Sequence, residues 1–301
     1  MSWGWGWLRA AAPGEAGRVQ DPLYRFARRL KSVDEAPPAM AAALTAAAPP
    51  GAAIRSLIFG PGNDGIGAER ATLFALLDDR WIVVAGLGSP RVDQAAFADT
   101  LSAELTTVLL FGRLKLDYAA ADGTRSSVVE FNTVMERVYR DALRRVLDGA
   151  EGLNAPAAVA DERLDGLLKV APLKFRNAAR DCRPPAQRVR AARHWPAAMT
   201  SGRRWLRRER APQGMLMLTE RELIWIAEER TPWWMQVFRS PRYGYVATFC
   251  PLTRIATWRV AANDEVATLE LALRGGATVK AELPGAAGQE LAEMMTARLV
   301  A

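Results

Sequence analysis

The sequence predicts an α+β protein that is mainly β: two copies of one strand-rich module, each ended by a helix, behind an N-terminal arm of short helices. Three observations carry this expectation. A proline-bounded strand phrase occurs twice, 135 residues apart. The same order of strand runs and turns follows each copy, and one amphipathic stretch then closes each. With 301 residues the chain has room for two ordinary domains with separate cores. The predicted division is an arm and lead-in over 1–49, a first module over 50–150, a linker and lead-in over 151–183, and a second module over 184–301.

The elements follow in order. Pro49 and Pro50 open a phrase that runs through Ile54-Arg55 to Pro61, and Pro184 and Pro185 open its counterpart through Val189-Arg190 to Pro196. A β-branched residue before Arg, with proline at both ends, reads as a first strand. In the first copy, residues 71–77 and 81–85 read as strands around the polar turn Asp78-Asp79-Arg80. In the second, 215–218 and 223–227 flank the charged turn Thr219-Glu220-Arg221-Glu222. A further β-rich stretch follows, 106–119 and 255–273. Each then turns, at Asp122-Gly123 or Gly275-Gly276, into a last strand at 125–131 or 278–283. Asn132 or Thr133 can cap a closing helix with Met135, Val138, Ala142 and Val146 on one face. After Pro284 and Gly285, residues Leu291, Met294, Met295 and Leu299 repeat that spacing. Each module also has a lead-in (22–49 and 172–183) beginning Pro-Leu with an aromatic nearby: Pro22-Leu23-Tyr24 and Pro172-Leu173-Lys174-Phe175.

Antiparallel strands ended by one helix are the plan of pleckstrin-homology-like (PH-like) domains, and the chain resembles a tandem pair of the bacterial members. The carrying phrases are 215–226, with Met215, Glu222 and Trp225, and 245–255, with Tyr245, Phe249 and Ile255. In the first copy they are 72–84, 97–105 and Phe111 to Tyr118. The resemblance implies two β-barrels, each plugged by its C-terminal helix, and binding rather than catalysis. A superfold alone does not name a ligand.

Charge gives the strongest functional lead. Between Lys174 and Arg210 there are twelve Lys and Arg against Asp181 and Glu209, a local excess of ten. Taking that from the whole-chain +7 leaves the remainder at −3, so one region owns the basicity. Within it Arg203, Arg204, Trp205, Arg207, Arg208 and Arg210 fall in the expected loop between the first two strands of the second module, over 196–212. Guanidinium groups pair bidentately with phosphate or carboxylate, and Trp suits an interfacial layer. PH domains that bind phosphoinositides draw their cations from this loop, and Arg193, Arg208 and Arg210 resemble that arrangement. The departures are Arg in place of the usual Lys and a longer loop. The expected partner is therefore an anionic lipid surface or an acidic protein. Nucleic acid is a further alternative for the same patch, without a recognition helix to support it.

Other motifs point to less. Gly60, Gly62 and Gly65 match G-x-G-x-x-G, which offers an alternative: a nucleotide-binding protein or enzyme using the 60–67 loop. That reading needs a helix over 68–78 to hold a pyrophosphate. The single histidine, His194, has no catalytic neighbour in sequence, and no nucleophile, zinc-protease or phosphate-loop motif is present. No enzyme, cofactor or metal site is expected. Two cysteines, Cys182 and Cys250, read as separate core residues of a reducing compartment. Residues 1–14 lack the form of a signal peptide, and the uncharged 36–54 stretch is too alanine-rich and proline-broken to insert. The expected address is the cytoplasm, with peripheral contact at the inner face of the membrane. Trp233 and Trp234, in a segment without a first-copy counterpart, are candidates for apolar contact. Trp3, Trp5 and Trp7 are a second aromatic cluster, read as docked on the protein or lying at a membrane surface.

Overall fold

The computed structural model describes residues 27–61, 71–154, 156–199, 209–229, 244–263 and 265–299. The chain is mainly β, in antiparallel sheets. The first part runs β1 (Arg28–Arg29), α1 (Pro38–Ala47), β2 (Ser56–Gly60), β3 (Thr72–Leu76), β4 (Arg80–Ala85) and β5 (Arg91–Ala96). A 3-10 turn, Phe97–Asp99, leads into β6 (Thr100–Val108), β7 (Phe111–Ala120) and β8 (Gly123–Asn132). A second, Thr133–Met135, leads into α2 (Glu136–Ala150). Then come α3 (Leu164–Leu168), α4 (Leu173–Cys182), β9 (Val189–Trp195), β10 (Ala198–Met199), β11 (Glu209–Ala211), β12 (Gly214–Thr219), β13 (Glu222–Glu228) and β14 (Tyr245–Pro251). The 3-10 turn Leu252–Arg254 precedes β15 (Ile255–Ala262), β16 (Val266–Leu273) and β17 (Thr278–Pro284). Gly285–Ala287 precedes α5 (Gly288–Leu299).

The order repeats. Helix, four strands, 3-10 turn, three strands, 3-10 turn and helix describe both α1 to α2 and α4 to α5, with β10 and β11 as an insertion in the second. The strands do not segregate by half, however. The sheets are β1-β2-β3-β4-β5, then β8-β7-β6-β14-β13-β12-β9, then β15-β16-β17, with β10-β11 apart. The central seven-stranded sheet joins the two halves where β6 pairs with β14, Thr107 opposite Tyr245 and Ala103 opposite Phe249. No hydrogen-bonded ladder among the described residues closes either set of strands into a barrel.

Alternation explains the layers, because successive strand residues face opposite sides. In the first sheet, Ile58, Phe74, Trp81 and Val83 face the central core, with Tyr139, Leu143 and Val146 of α2. The reverse face, Leu57, Phe59, Leu73 and Val84, packs on Met40 and Leu44 of α1. In the second half, Leu216, Leu218, Leu223 and Trp225 face β15–β17 and α5. Met215, Met217, Ile224 and Ile226 face the other way, onto Phe175 and Ala179 of α4. α1 thus covers one face of the first sheet, and α4 packs on one face of β12 and β13 within the central core. Residues 28–47, within the expected lead-in, pack on the first half, where β1 extends the first sheet. The expected helices before residue 27 lie outside the described residues.

Local chemistry sets several boundaries. The 106–119 stretch, expected as one β-rich run, is two strands around Leu109-Leu110, and Leu109 takes the left-handed region at φ 51°. The Thr133 hydroxyl donates to the Leu109 carbonyl at 2.8 Å, holding that turn. The Asn132 side chain accepts from the Val134 amide and so caps the 3-10 turn before α2, whereas α2 itself starts after Met135 without a side-chain cap. Glu222, read as part of a polar turn, instead opens β13 and is fully buried.

Candidate functional site

The flanks of the arginine segment meet. β10 pairs antiparallel with β11, Ala198 opposite Ala211, so the residues on either side of 200–208 are brought together. Arg203, Arg204, Trp205, Arg207 and Arg208 lie outside the described residues, as do Trp233 and Trp234 and the glycines Gly62, Gly65 and Gly67. Of the expected site, Arg193 and Arg210 are placed. The expected 196–212 loop therefore carries two short strands, and Arg210 belongs to one of them.

Both placed arginines have acidic partners that the sequence does not put beside them. Arg193, on β9, forms an ion pair with Glu290 of α5, which also accepts from the Trp195 indole at 3.1 Å. The Arg193 hydrogen bond holds the Glu290 carboxyl below its usual range, against a smaller effect of burial. Arg210 lies 3.2 Å from Glu265, both side chains about half exposed. Lys174 pairs with Glu228 and Arg180 with Asp165. Arg183 turns inward and donates to the carbonyl of Gln187 at 2.8 Å. Part of the excess of ten charges counted along the chain is thus neutralised in space by acids from α5, β13, α3 and the turn before β16. By contrast, Arg190 is exposed on β9 and has no ion pair among the described residues.

The chemistry-bearing groups elsewhere are packed rather than poised. The His194 ring lies 5.0 Å from that of Phe175 and hydrogen-bonds Gln213 at 2.8 Å. Burial pulls its imidazole below the usual range despite nearby Glu228. Burial pushes both thiols, Cys182 and Cys250, up to about 12, so at neutral pH each is a protonated core group. No cluster of three metal-ligating side chains occurs among the described residues, and none of their helices is long and apolar enough to cross a membrane.

The glycine motif loses its dinucleotide geometry here. Residues Thr72–Leu76, inside the 68–78 span where a helix would be required, form β3. Gly60 has a packing reason of its own: a Cβ there would come 2.9 Å from the Tyr139 hydroxyl and 3.1 Å from the Glu130 carbonyl.

A feature sequence reasoning missed runs along α2. Arg144, between the halves, donates to Glu222 from both terminal nitrogens and to Asp148 through Nε at 3.0 Å. Gln187 donates to the same Glu222 carboxylate at 2.9 Å and accepts from Thr219 at 2.6 Å. Burial opposes the Arg144 charge, but Glu222 and Asp148 outweigh it and hold the guanidinium above its usual range. Burial lifts the Asp148 carboxyl above its ordinary value although Arg144 pulls it down. One turn earlier Arg140 bonds Glu136 and, at 2.9 Å, the Tyr245 hydroxyl. Two clefts flank this seam. The smaller, about 140 Å³, is lined by Arg140, Arg144, Asp181, Cys182 and Phe249. The larger, about 920 Å³ and open, has Arg55, Asp78, Arg145 and Asp148 on its walls. Its cations are engaged: Arg55 bonds Asp78 at 2.6 Å, and Arg145 is 4.0 Å from the same carboxylate. The helical spacing of Arg140, Arg144 and Asp148 was visible in sequence, but their partner Glu222 is 78 residues from Arg144.

No protein-family model matches this sequence, and no curated protein shows significant similarity to it.

Proposed function

We propose that the chain is a non-catalytic binding protein made of two PH-like modules, the second of which docks on an anionic membrane surface through its arginine segment. The observation that carries this reading is the β10–β11 pair, which gathers the flanks of a segment containing Arg203, Arg204, Trp205, Arg207 and Arg208. Arg193 and Arg210 stand at the root of that segment in exposed ion pairs. Exposed pairs of this kind are screened and exchange partners readily, so phosphate groups can compete for the guanidiniums. Exposed Arg190 on β9 adds to the same strand's cationic character. The PH-like reading is supported by the repeated order of four strands, three strands and helix. The binding rather than catalytic reading is supported by a packed, hydrogen-bonded His194 and two buried thiols.

The test is co-sedimentation of the full chain with vesicles of phosphatidylserine and phosphatidylcholine against phosphatidylcholine alone. Binding is expected only to the anionic vesicles and falls as salt is added. Each arginine near the surface contributes on the order of 1 kcal/mol, so joint replacement of Arg203, Arg204, Arg207 and Arg208 by Ala abolishes binding. Wild-type indifference to anionic vesicles overturns the reading. If an acidic protein is retained under those conditions and lost in the quadruple variant, the same arginines serve a protein interface instead. Salt-sensitive binding to nucleic acid alone moves them to the third class.

A further inference from the structure

The junction between the halves is a strand pairing, and the repeat leaves its two complementary edges without a second strand among the described residues. β6, the first strand after one 3-10 turn, pairs with β14, the last strand before the next. By the repeated order, β15 is the counterpart of β6, and β5 is the counterpart of β14. β15 ends the three-stranded sheet and β5 ends the five-stranded sheet, each with one neighbour among the described residues. The edge at β9 is less available. β9 is flanked by the linker, where the Val159 amide donates to Pro185 and the Val189 amide donates to Asp161 at 2.6 Å. The two counterparts differ in cover as an occupied and a vacant edge should. β6 has no exposed residue and six of its nine are buried, whereas Ala256, Thr257, Arg259, Ala261 and Ala262 of β15 are exposed. An open strand edge with unpaired backbone groups is a template for another strand.

We propose that a second copy of this chain occupies these edges: β15 of one molecule pairs antiparallel with β5 of the next, repeating between molecules the junction that β6 and β14 make within one. The register follows from the repeat. Aligning the two 3-10 turns makes Thr100 equivalent to Ile255 and Ala96 equivalent to Pro251. The observed pairs Leu105 with Ala247, Glu104 with Thr248 and Ala103 with Phe249 then become Val260 with Val92, Arg259 with Asp93 and Trp258 with Gln94. This register places a cation opposite an anion and a β-branched residue opposite another, both favourable cross-strand pairs. The interface is head-to-tail, so assembly is open-ended or closes into a ring. It does not depend on the arginine segment or on what that segment binds.

Sedimentation velocity on the full chain over a concentration series tests this. The wild type is expected to associate beyond a dimer as concentration rises, and a monomer throughout overturns the proposal. Arg259→Asp and Asp93→Arg each set like charges opposite one another and should weaken self-association about tenfold. An equimolar mixture of the two variants sets opposite charges at both kinds of mixed junction and should recover association beyond a dimer by alternating assembly. Unchanged association of both single variants, or a mixture no better than its components, overturns the proposal; the second result would indicate an edge pairing with itself. Arg259 is largely exposed, but Asp93 is mostly covered and accepts from Ser127, so its variant can fail to fold. Hydrogen exchange on the wild type covers that case. Amides of β5 and β15 should both gain protection in concentrated solution, and protection confined to other strands counts against the pairing.

Discussion

The two halves share an order of elements yet cover one face of their first strands with opposite chemistry. In the first half, α1 has the composition of a plain apolar lid: Met40 and Leu44 are fully buried on Leu57, Phe59, Leu73 and Val84, and the helix carries no charge. In the second half, α4 packs Phe175 and Ala179, but beside them α2 lays Arg140 and Arg144 against β13 and β14. The first cover is non-directional and tolerant. The second requires several donors and acceptors to coincide, because each charge is costly unless its partner is in place. An ionic seam of this kind fixes how the halves meet more than it adds to stability. Its hydrogen-bonding groups come from α2, β12, β13, β14 and the residues just before β9.

The sharpest way to break the comparison is to remove one charge. Glu222→Ala leaves Arg144 in a buried seam without its main partner, and should cost about 3–5 kcal/mol in equilibrium unfolding. The joint change Glu222→Leu with Arg144→Met removes both charges and should recover most of that loss. The buried thiols give an independent readout. Protonated and covered in the native state, Cys182 and Cys250 should label with an alkylating reagent at pH 8 only as fast as the structure opens. Faster labelling in Glu222→Ala, reversed in the double variant, places the damage at the seam. A single-charge variant as stable as wild type would mean the seam is solvated and the contrast between halves is false.

The apolar cover predicts a different pattern. Leu44→Ala should cost about 2–5 kcal/mol through lost burial and a cavity between α1 and the first sheet. Unlike the seam variant, it should leave the labelling rate of Cys182 and Cys250 little changed if the halves open separately. Equal acceleration of both thiols would show that the joined seven-stranded sheet makes the chain one cooperative unit.

What the sequence disclosed follows the same divide. Local signals were legible: the proline-bounded first strands, the hairpin around Asp78-Asp79, the Asn132 cap and the apolar faces of α2 and α5 all rest on residues a few positions apart. The Leu109-Leu110 turn was hidden because it uses neither Gly nor Asn, and tertiary support from Thr133 holds a leucine at positive φ. β5, Arg91–Ala96, carries no apolar alternation strong enough to read. The β6–β14 pairing joins residues about 140 apart, and no periodicity encodes a partner at that distance. For the site, the count of arginines was correct, but a count along the chain takes no account of folding that brings Glu265 to Arg210 and Glu290 to Arg193.

The smallest expected effect sharpens the comparison from the other side. Arg210 resembles Arg144 in pairing with an acid, yet its pair with Glu265 is about half exposed where Arg144 faces a carboxylate with no exposure. In water the attraction of such a pair is largely offset by solvation and side-chain entropy. Arg210→Ala should therefore cost no more than about 1 kcal/mol and move Tm by only about 2–4 °C. If the proposed anionic docking is right, the same change should weaken binding to phosphatidylserine vesicles by about fivefold, an arginine's worth near a charged surface. Stability and binding would then be separable at Arg210 and inseparable at Arg144. A large fall in Tm for Arg210→Ala would place it with the structural ions, and a normal vesicle affinity would remove it from the docking surface. Glu265→Gln completes the test. Freed of its carboxylate, Arg210 should bind vesicles at least as well as in the wild type, and weaker binding would show that the pair itself positions the site.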